Sequence, residues 1–269
     1  RAAAEANPEA WDQMPLSSGA FAVESWERGQ GITLVPNPNY WQPASQVERL
    51  NIQFNQDSET AYQRYRTGEL DIMGGAQNPI PAARVPEVRD SADFRSTNAI
   101  NLRYVGFNNE LAPFDDVRVR QALSMAVDRE TLANVVLEGT VVPAERILPP
   151  GMPASELPLE TLGFDPEAAR ALLTDASIDP ATFNLTLTYG VEGDNERIVT
   201  VLQSMWQENL GITVTLEPLE LSTFSSRLND TYQDPANGLQ AYFSVWGTIY
   251  PDPQYFLSQV LRSGVGNNN

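Results

Sequence analysis

The side chains of this 269-residue chain that could do chemistry are almost all oxygen-bearing. It contains no His, no Cys and no Lys, and all 17 basic residues are arginine. That composition excludes Ser–His–Asp and Cys–His catalysis, Schiff-base lysine chemistry, thiolate or imidazole zinc sites, disulfides and a phosphate-binding Walker lysine. Two chemistries stay open: a carboxylate pair of the glycosidase type, and a hard cation held by oxygen ligands. The neighbouring acids are Asp57 with Glu59, Asp115 with Asp116, and Glu217 with Glu220. Helix capping or surface charge accounts for each, and 35 acids among 269 residues bring such pairs together by chance. The reading is therefore of a protein that is not an enzyme and carries no cofactor and no metal.

Seventeen basic against 35 acidic residues leave a net charge of −18. A surface this acidic has no electrostatic attraction for nucleic acid or an anionic membrane. Hydrophobic residues make up 42% of the chain, enough for a globular core, and no apolar run approaches the ~20 residues that span a bilayer. The first residues, RAAAEANPEAW, lack the apolar stretch of a secretory signal.

The elements that must position any site follow from periodicity. Residues 20–26 and 31–37 alternate around Arg28-Gly29-Gln30-Gly31, which predicts a β-hairpin, with a third strand over 47–54. Ser58 is expected to cap a helix reaching Arg66, with Gly68 just past its end and a short strand over Leu70-Asp71-Ile72-Met73. Residues 79–98 read as a Pro-rich connector and Ala99 to Phe107 as a strand. Val119, Ala122, Leu123, Ala126 and Val127 recur at helical spacing behind Asp115 and Asp116, whose carboxylates suit a helix start. Asp128 opens a second helix through Leu132, Val135 and Val136 that ends near Gly139. Arg118 and Arg120 read as solvated charges. A Pro-rich loop spans 143–158, and Asp165-Pro166-Glu167 starts another helix. A strand over 184–189, a helix over 195–210 closed by Gly211, a strand over 212–216, a helix over 222–228 and a strand over 239–245 complete an α/β alternation.

The wording of these segments is distinctive. Tyr104-Val105-Gly106-Phe107-Asn108 followed by PFDDVRVRQALSMAVDR from Pro113 strongly resembles family 5 of the bacterial extracellular solute-binding proteins, the dipeptide-, oligopeptide- and nickel-binding receptors of ABC importers. The resemblance recurs in order at Ser18-Gly19-Ala20-Phe21 through Trp26-Glu27-Arg28-Gly29, at Asn37-Pro38-Asn39-Tyr40-Trp41 and at Thr67-Gly68-Glu69-Leu70-Asp71-Ile72. It continues at Phe164-Asp165-Pro166-Glu167, at Leu210-Gly211-Ile212-Thr213-Val214 and at Trp246-Gly247 with Tyr250-Pro251-Asp252-Pro253. It implies an α/β, periplasmic-binding-protein-like architecture (type II, cluster C) of two lobes. The chain is expected to hold part of it: 1–98 as partial lobe I, 99–250 as the lobe II α/β domain, and 251–269 as a truncated return segment.

The resemblance also implies where ligand would lie, between the lobes and against loops at strand ends. Trp246 and Tyr250 follow the last lobe II strand and could stack on a sugar or apolar face, or simply pack at the lobe edge. Peptide-binding members place an aspartate three residues after that tryptophan to pair with the ligand's α-ammonium; this chain has Ile249 there. Asp252 sits in an Asp-Pro turn that it either braces or opens to ligand. Gly74 to Asn78 either matches a cleft-lining loop, in which Gly75 permits close backbone approach and Gln77 and Asn78 supply amides, or is a simple connector. Asn108, at its strand's end, either faces the cleft or serves a turn. The implied function is capture of a peptide or related small solute for an ABC permease, by a monomer outside the cytoplasmic membrane or in the periplasm. Membrane contact is expected only through a lipid anchor or the permease. An oligosaccharide ligand within the same family and a carboxylate-dependent glycosidase are the alternatives.

Overall fold

The computed structural model describes residues 17–43, 45–54, 57–75, 79–97 and 99–260. The chain forms two compact units that divide between Ile80 and Pro81. Residues 81–97, expected with the first lobe, pack with the second unit. Ala82 is buried in that unit's main core, and the Arg89 guanidinium donates to the Glu138 carbonyl at 3.2 Å.

The first unit is built on a three-stranded antiparallel sheet in the order β1 (Phe21–Glu27), β2 (Gly31–Pro36), β3 (Leu50–Gln53). Gly29 takes the positive φ, 78°, that the hairpin turn demands, and a bulge lies between Val23 and Ser25. Helix α1 (Ser58–Arg66) begins one residue earlier than expected. Asp57 is the cap, its carboxylate accepting from the Thr60 N–H at 2.7 Å, and Ser58 is already helical. Leu70–Met73 forms no strand: a run of four residues cannot hold extended structure without a neighbouring edge, and Ile72 is 85% exposed.

The second unit carries a four-stranded mixed sheet in the order β4 (Asn101–Phe107), β7 (Ala241–Gly247), β5 (Asn184–Gly190), β6 (Thr213–Leu219). β5 runs parallel to both β6 and β7, while β4 pairs antiparallel with β7. Helices α2 (Val117–Met125), α3 (Pro166–Asp175) and α4 (Asn195–Leu210) bury one stripe each. Val119, Ala122, Leu123 and Ala126 are fully buried with Ala169, Leu173, Ile198, Leu202 and Trp206 in one core with the sheet residues Leu185, Leu187 and Phe243. The α2–α4 seam is fastened by polar side chains on helix ends: Trp206 Nε1–H donates to the Leu123 carbonyl at 2.8 Å and Asn209 to the Ala126 carbonyl at 2.8 Å. Gly211 closes α4 in the left-handed region at φ 75°.

Three expectations change here. The helix predicted from Asp128 is a single turn, Arg129–Thr131, capped by Asp128; it passes into a wider π turn over Leu132–Val136. Arg118 and Arg120 are not free surface charges. Arg118 grips the Asp116 carboxylate and donates to the Asp175 carbonyl at 2.7 Å, joining α2 to the end of α3, and Arg120 donates to the Phe114 carbonyl at 2.6 Å. The helix expected over 222–228 is longer. It is α5 (Leu221–Gln233), capped by the Glu220 carboxylate through the Ser222 and Thr223 N–H groups. Helix α6 (Pro253–Val260) follows β7.

Candidate functional site

A groove of about 360 Å³ lies in the second unit where β5 and β7 end and α4 and α5 begin. The carboxyl ends of parallel strands are where open α/β sheets present ligands, because the helix N-termini and connecting loops converge there. One wall is a single stripe of α5: Leu221, Phe224, Ser225, Leu228, Asn229 and Tyr232 recur at the three- and four-residue spacing that shares a helix face. The floor is one face of the β4–β7 pair, where Tyr104 stands opposite Ser244 and Leu102 opposite Trp246. The turn from β5 into α4 supplies Gly190, Glu192 and Asn195. A Cβ on Gly190 would press on Leu221 Cδ1 at 3.0 Å and Phe224 Cδ1 at 3.2 Å, so the bare glycine lets α5 sit close. Asn195 braces the same turn by donating to the Gly190 carbonyl at 3.0 Å.

Beneath the groove, Tyr104 and Tyr232 both meet Tyr242 edge-on, with ring centres 6.2 and 6.3 Å away. Burial pushes the Tyr104 phenol up to about 12, helped by the neighbouring Tyr242; Tyr232 and Tyr242 are raised too, again chiefly by burial. All three are neutral hydroxyls at physiological pH. The ring of Tyr242 lies over Gly106, its direct cross-strand partner.

The expected site residues separate in this geometry. Trp246 lines the groove; its ring stacks on Tyr255 at 5.6 Å, and its indole N–H is buried with no acceptor among the described residues. Tyr250 does not line it: its hydroxyl bonds Gln254 and its ring meets Tyr255 edge-on at 5.1 Å. Ile249 is 82% exposed on the same loop. Asp252 caps α6, accepting from the Gln254 N–H at 2.8 Å. Asn108 is fully buried, donating to the Pro235 and Leu239 carbonyls at 2.7 and 3.1 Å and accepting from the Glu110 N–H, so its side chain fixes the end of β4. Gly75 is exposed with φ 102°; Gln77 and Asn78 lie outside the described residues. Of the described groove lining, sequence reasoning reached only Trp246; Tyr104, Glu192, Asn195 and the α5 stripe from Leu221 to Tyr232 were missed. The α5 stripe was readable as periodicity, but the helix had been ended at Leu228, one turn before Tyr232.

The acid pairs have structural duties. Asp57, Asp116 and Glu220 cap helices. Glu217 accepts from the Thr188 hydroxyl at 2.6 Å and pairs with Arg227 at 2.7 Å; the Thr188 bond, more than Arg227, holds its carboxyl below the usual range. Among the described residues, no group of three or more acids is placed to hold a metal ion.

Residues 2–268 match the family described as bacterial extracellular solute-binding proteins, family 5 Middle. The chain belongs to that family. This family 5 chain is 27% identical over 275 residues to heme-binding protein A of Haemophilus influenzae, covering 97% of the chain and 47% of the relative. It is 29% identical over 282 residues to the periplasmic oligopeptide-binding protein OppA of Salmonella typhimurium, covering 99% and 50%. Among solved structures, a periplasmic oligopeptide-binding protein of Borrelia burgdorferi, OppAIV, superposes with a TM-score of 0.80 at 27% identity, over 99% of this chain and 53% of that one. The family 5 chain therefore has the periplasmic-binding-protein fold of the OppA type and spans about half the length of the curated relatives it matches.

Proposed function

We propose that this chain forms one ligand-binding wall of an extracellular receptor that captures peptides, or a related small solute, for an ABC import permease. The observation that carries the reading is the groove at the ends of β5 and β7, which sits in a family 5 fold and has Trp246 on its floor. Its volume is at the lower end of ordinary small-molecule sites. On this reading the second unit belongs to lobe II and the first unit to lobe I. Ligand capture shifts the receptor toward its closed state, which is what a permease recognises, and no reaction is catalysed. The receptor works on the outer face of the cytoplasmic membrane or in the periplasm, as a monomer that reaches the membrane through a lipid anchor or the permease. No helix of the described residues is long and apolar enough to cross a membrane. The relatives named for oligopeptides favour a peptide-type ligand over an oligosaccharide. The duties of the acid pairs argue against a glycosidase.

Calorimetric titration of the protein that carries this chain with di- to pentapeptides and with oligosaccharides tests the reading. Peptide binding is expected, weakened at least tenfold by Trp246→Phe with circular dichroism unchanged. Oligosaccharide binding without peptide binding would overturn it.

A further inference from the structure

The charge of the groove narrows what can enter it. Among the described residues the lining contains no arginine, and the sequence has neither lysine nor histidine to supply a cation. Arg227, on the same helix as the groove stripe, is turned to Glu217 and bonded there at 2.7 Å. Arg103 precedes Tyr104 and by strand alternation points to the opposite face of β4. Among the described residues of the lining the one charged group is the Glu192 carboxylate, exposed at the β5–α4 turn. The rest of that lining is mainly aromatic or aliphatic (Tyr104, Leu221, Phe224, Leu228, Tyr232, Trp246), with the neutral polar groups of Asn195, Ser225, Asn229 and Ser244 among them.

Three consequences follow for a ligand group. A carboxylate would lose its hydration without meeting a cation and would also face Glu192, so both desolvation and repulsion act against it. A ring or branched aliphatic group would bury apolar area against the α5 stripe and the floor aromatics. The indole N–H of Trp246 is itself closed off from the surface, so a ligand group meets Trp246 through its ring and not through that donor.

We infer that the groove binds an aromatic or apolar group that is neutral or cationic, and excludes anionic ones. This assignment rests on the reading of the groove as the ligand wall and specifies the ligand class that wall accepts.

The test uses one ring in three charge states: benzamide (neutral), benzamidine (cationic) and benzoate (anionic). The readout is the indole N–H resonance of Trp246, assigned by its loss in Trp246→Phe, in the protein that carries this chain. Benzamide and benzamidine should shift that resonance saturably, and benzoate should bind at least tenfold more weakly. Asn229→Arg, at an exposed lining position, should reverse the order in favour of benzoate. Equal or tighter binding of benzoate to the unaltered groove, or no shift by any of the three, overturns the inference. Charge discrimination by the rings with no peptide bound in calorimetry would instead uphold the groove assignment and overturn the peptide-receptor reading.

Discussion

Gly106→Ala is a small change placed where the sheet face and the groove support one another. In an ordinary strand it would be neutral or mildly favourable, because glycine costs roughly 0.5–1 kcal/mol relative to alanine through backbone entropy. Here the added Cβ would lie 2.3 Å from Tyr242 Cζ, 2.5 Å from Cε2 and 2.6 Å from the hydroxyl oxygen, against about 3.5–4.0 Å for an unstrained carbon contact. The ring cannot retreat freely, since Tyr242 is buried and Tyr104 and Tyr232 flank it edge-on. Overpacking of this kind costs about 1–3 kcal/mol. Set against the alanine gain, urea unfolding followed by far-UV circular dichroism should show Gly106→Ala less stable by up to about 2.5 kcal/mol. Tyr242→Ala alone should cost about 3–5 kcal/mol by emptying a buried aromatic site. Combined, the two changes should cost less than their sum, with a coupling of about 0.5–3 kcal/mol, because removing the ring removes the clash. Because Tyr242 props both Tyr104 and Tyr232, Gly106→Ala should also weaken ring binding in the groove. A Gly106→Ala protein as stable as the parent, or strictly additive variants, would refute the account of the glycine as the seat of that ring.

Trp206→Phe removes the N–H that satisfies the Leu123 carbonyl and leaves a buried acceptor unpaired, so a loss of about 1–3 kcal/mol in thermal or urea unfolding is expected; no loss would mean the carbonyl is satisfied another way. The raised pKa of Tyr104 makes a stability prediction of definite sign. The folded protein keeps the phenolic proton that the unfolded chain loses near pH 10.0, so the contribution is complete below that pH and disappears as pH rises toward about 12. Two pH units amount to at most about 2.7 kcal/mol. Tyr104→Phe should flatten the alkaline limb of the stability curve, and an unchanged limb would place the effect on another group.

How much was readable from residues alone depended on whether the deciding contact was local. Helix starts were legible because a carboxylate and the N–H it caps lie two or three residues apart, as at Asp116 with Arg118 and Asp165 with Ala168. The buried stripe Val119, Ala122, Leu123, Ala126 was legible for the same reason, since helical periodicity is written in the chain itself. Leu70–Met73 misled because alternation in so short a run cannot show whether a neighbouring strand exists. Asn108 was legible only in part: its turn bond from the Glu110 N–H is local, whereas its other partners, the Pro235 and Leu239 carbonyls, are far away in sequence.

Residue identity and spacing were enough for the family, the α/β alternation, the caps at Asp116, Asp128 and Asp165, and the exclusion of imidazole, thiolate and amine chemistry. Folding alters neither. Which side chains form the groove follows instead from the folded arrangement of strands and helices. Parallel pairing of β5 with β7 brings Gly190 and Trp246 to one end of the sheet, and antiparallel pairing of β4 sets Tyr104 beside Ser244. The loop after Trp246 turns the other way: Tyr250 and Asp252 spend their polar atoms on Gln254. Convergence of this kind depends on strand register and helix placement, long-range quantities that no local pattern encodes.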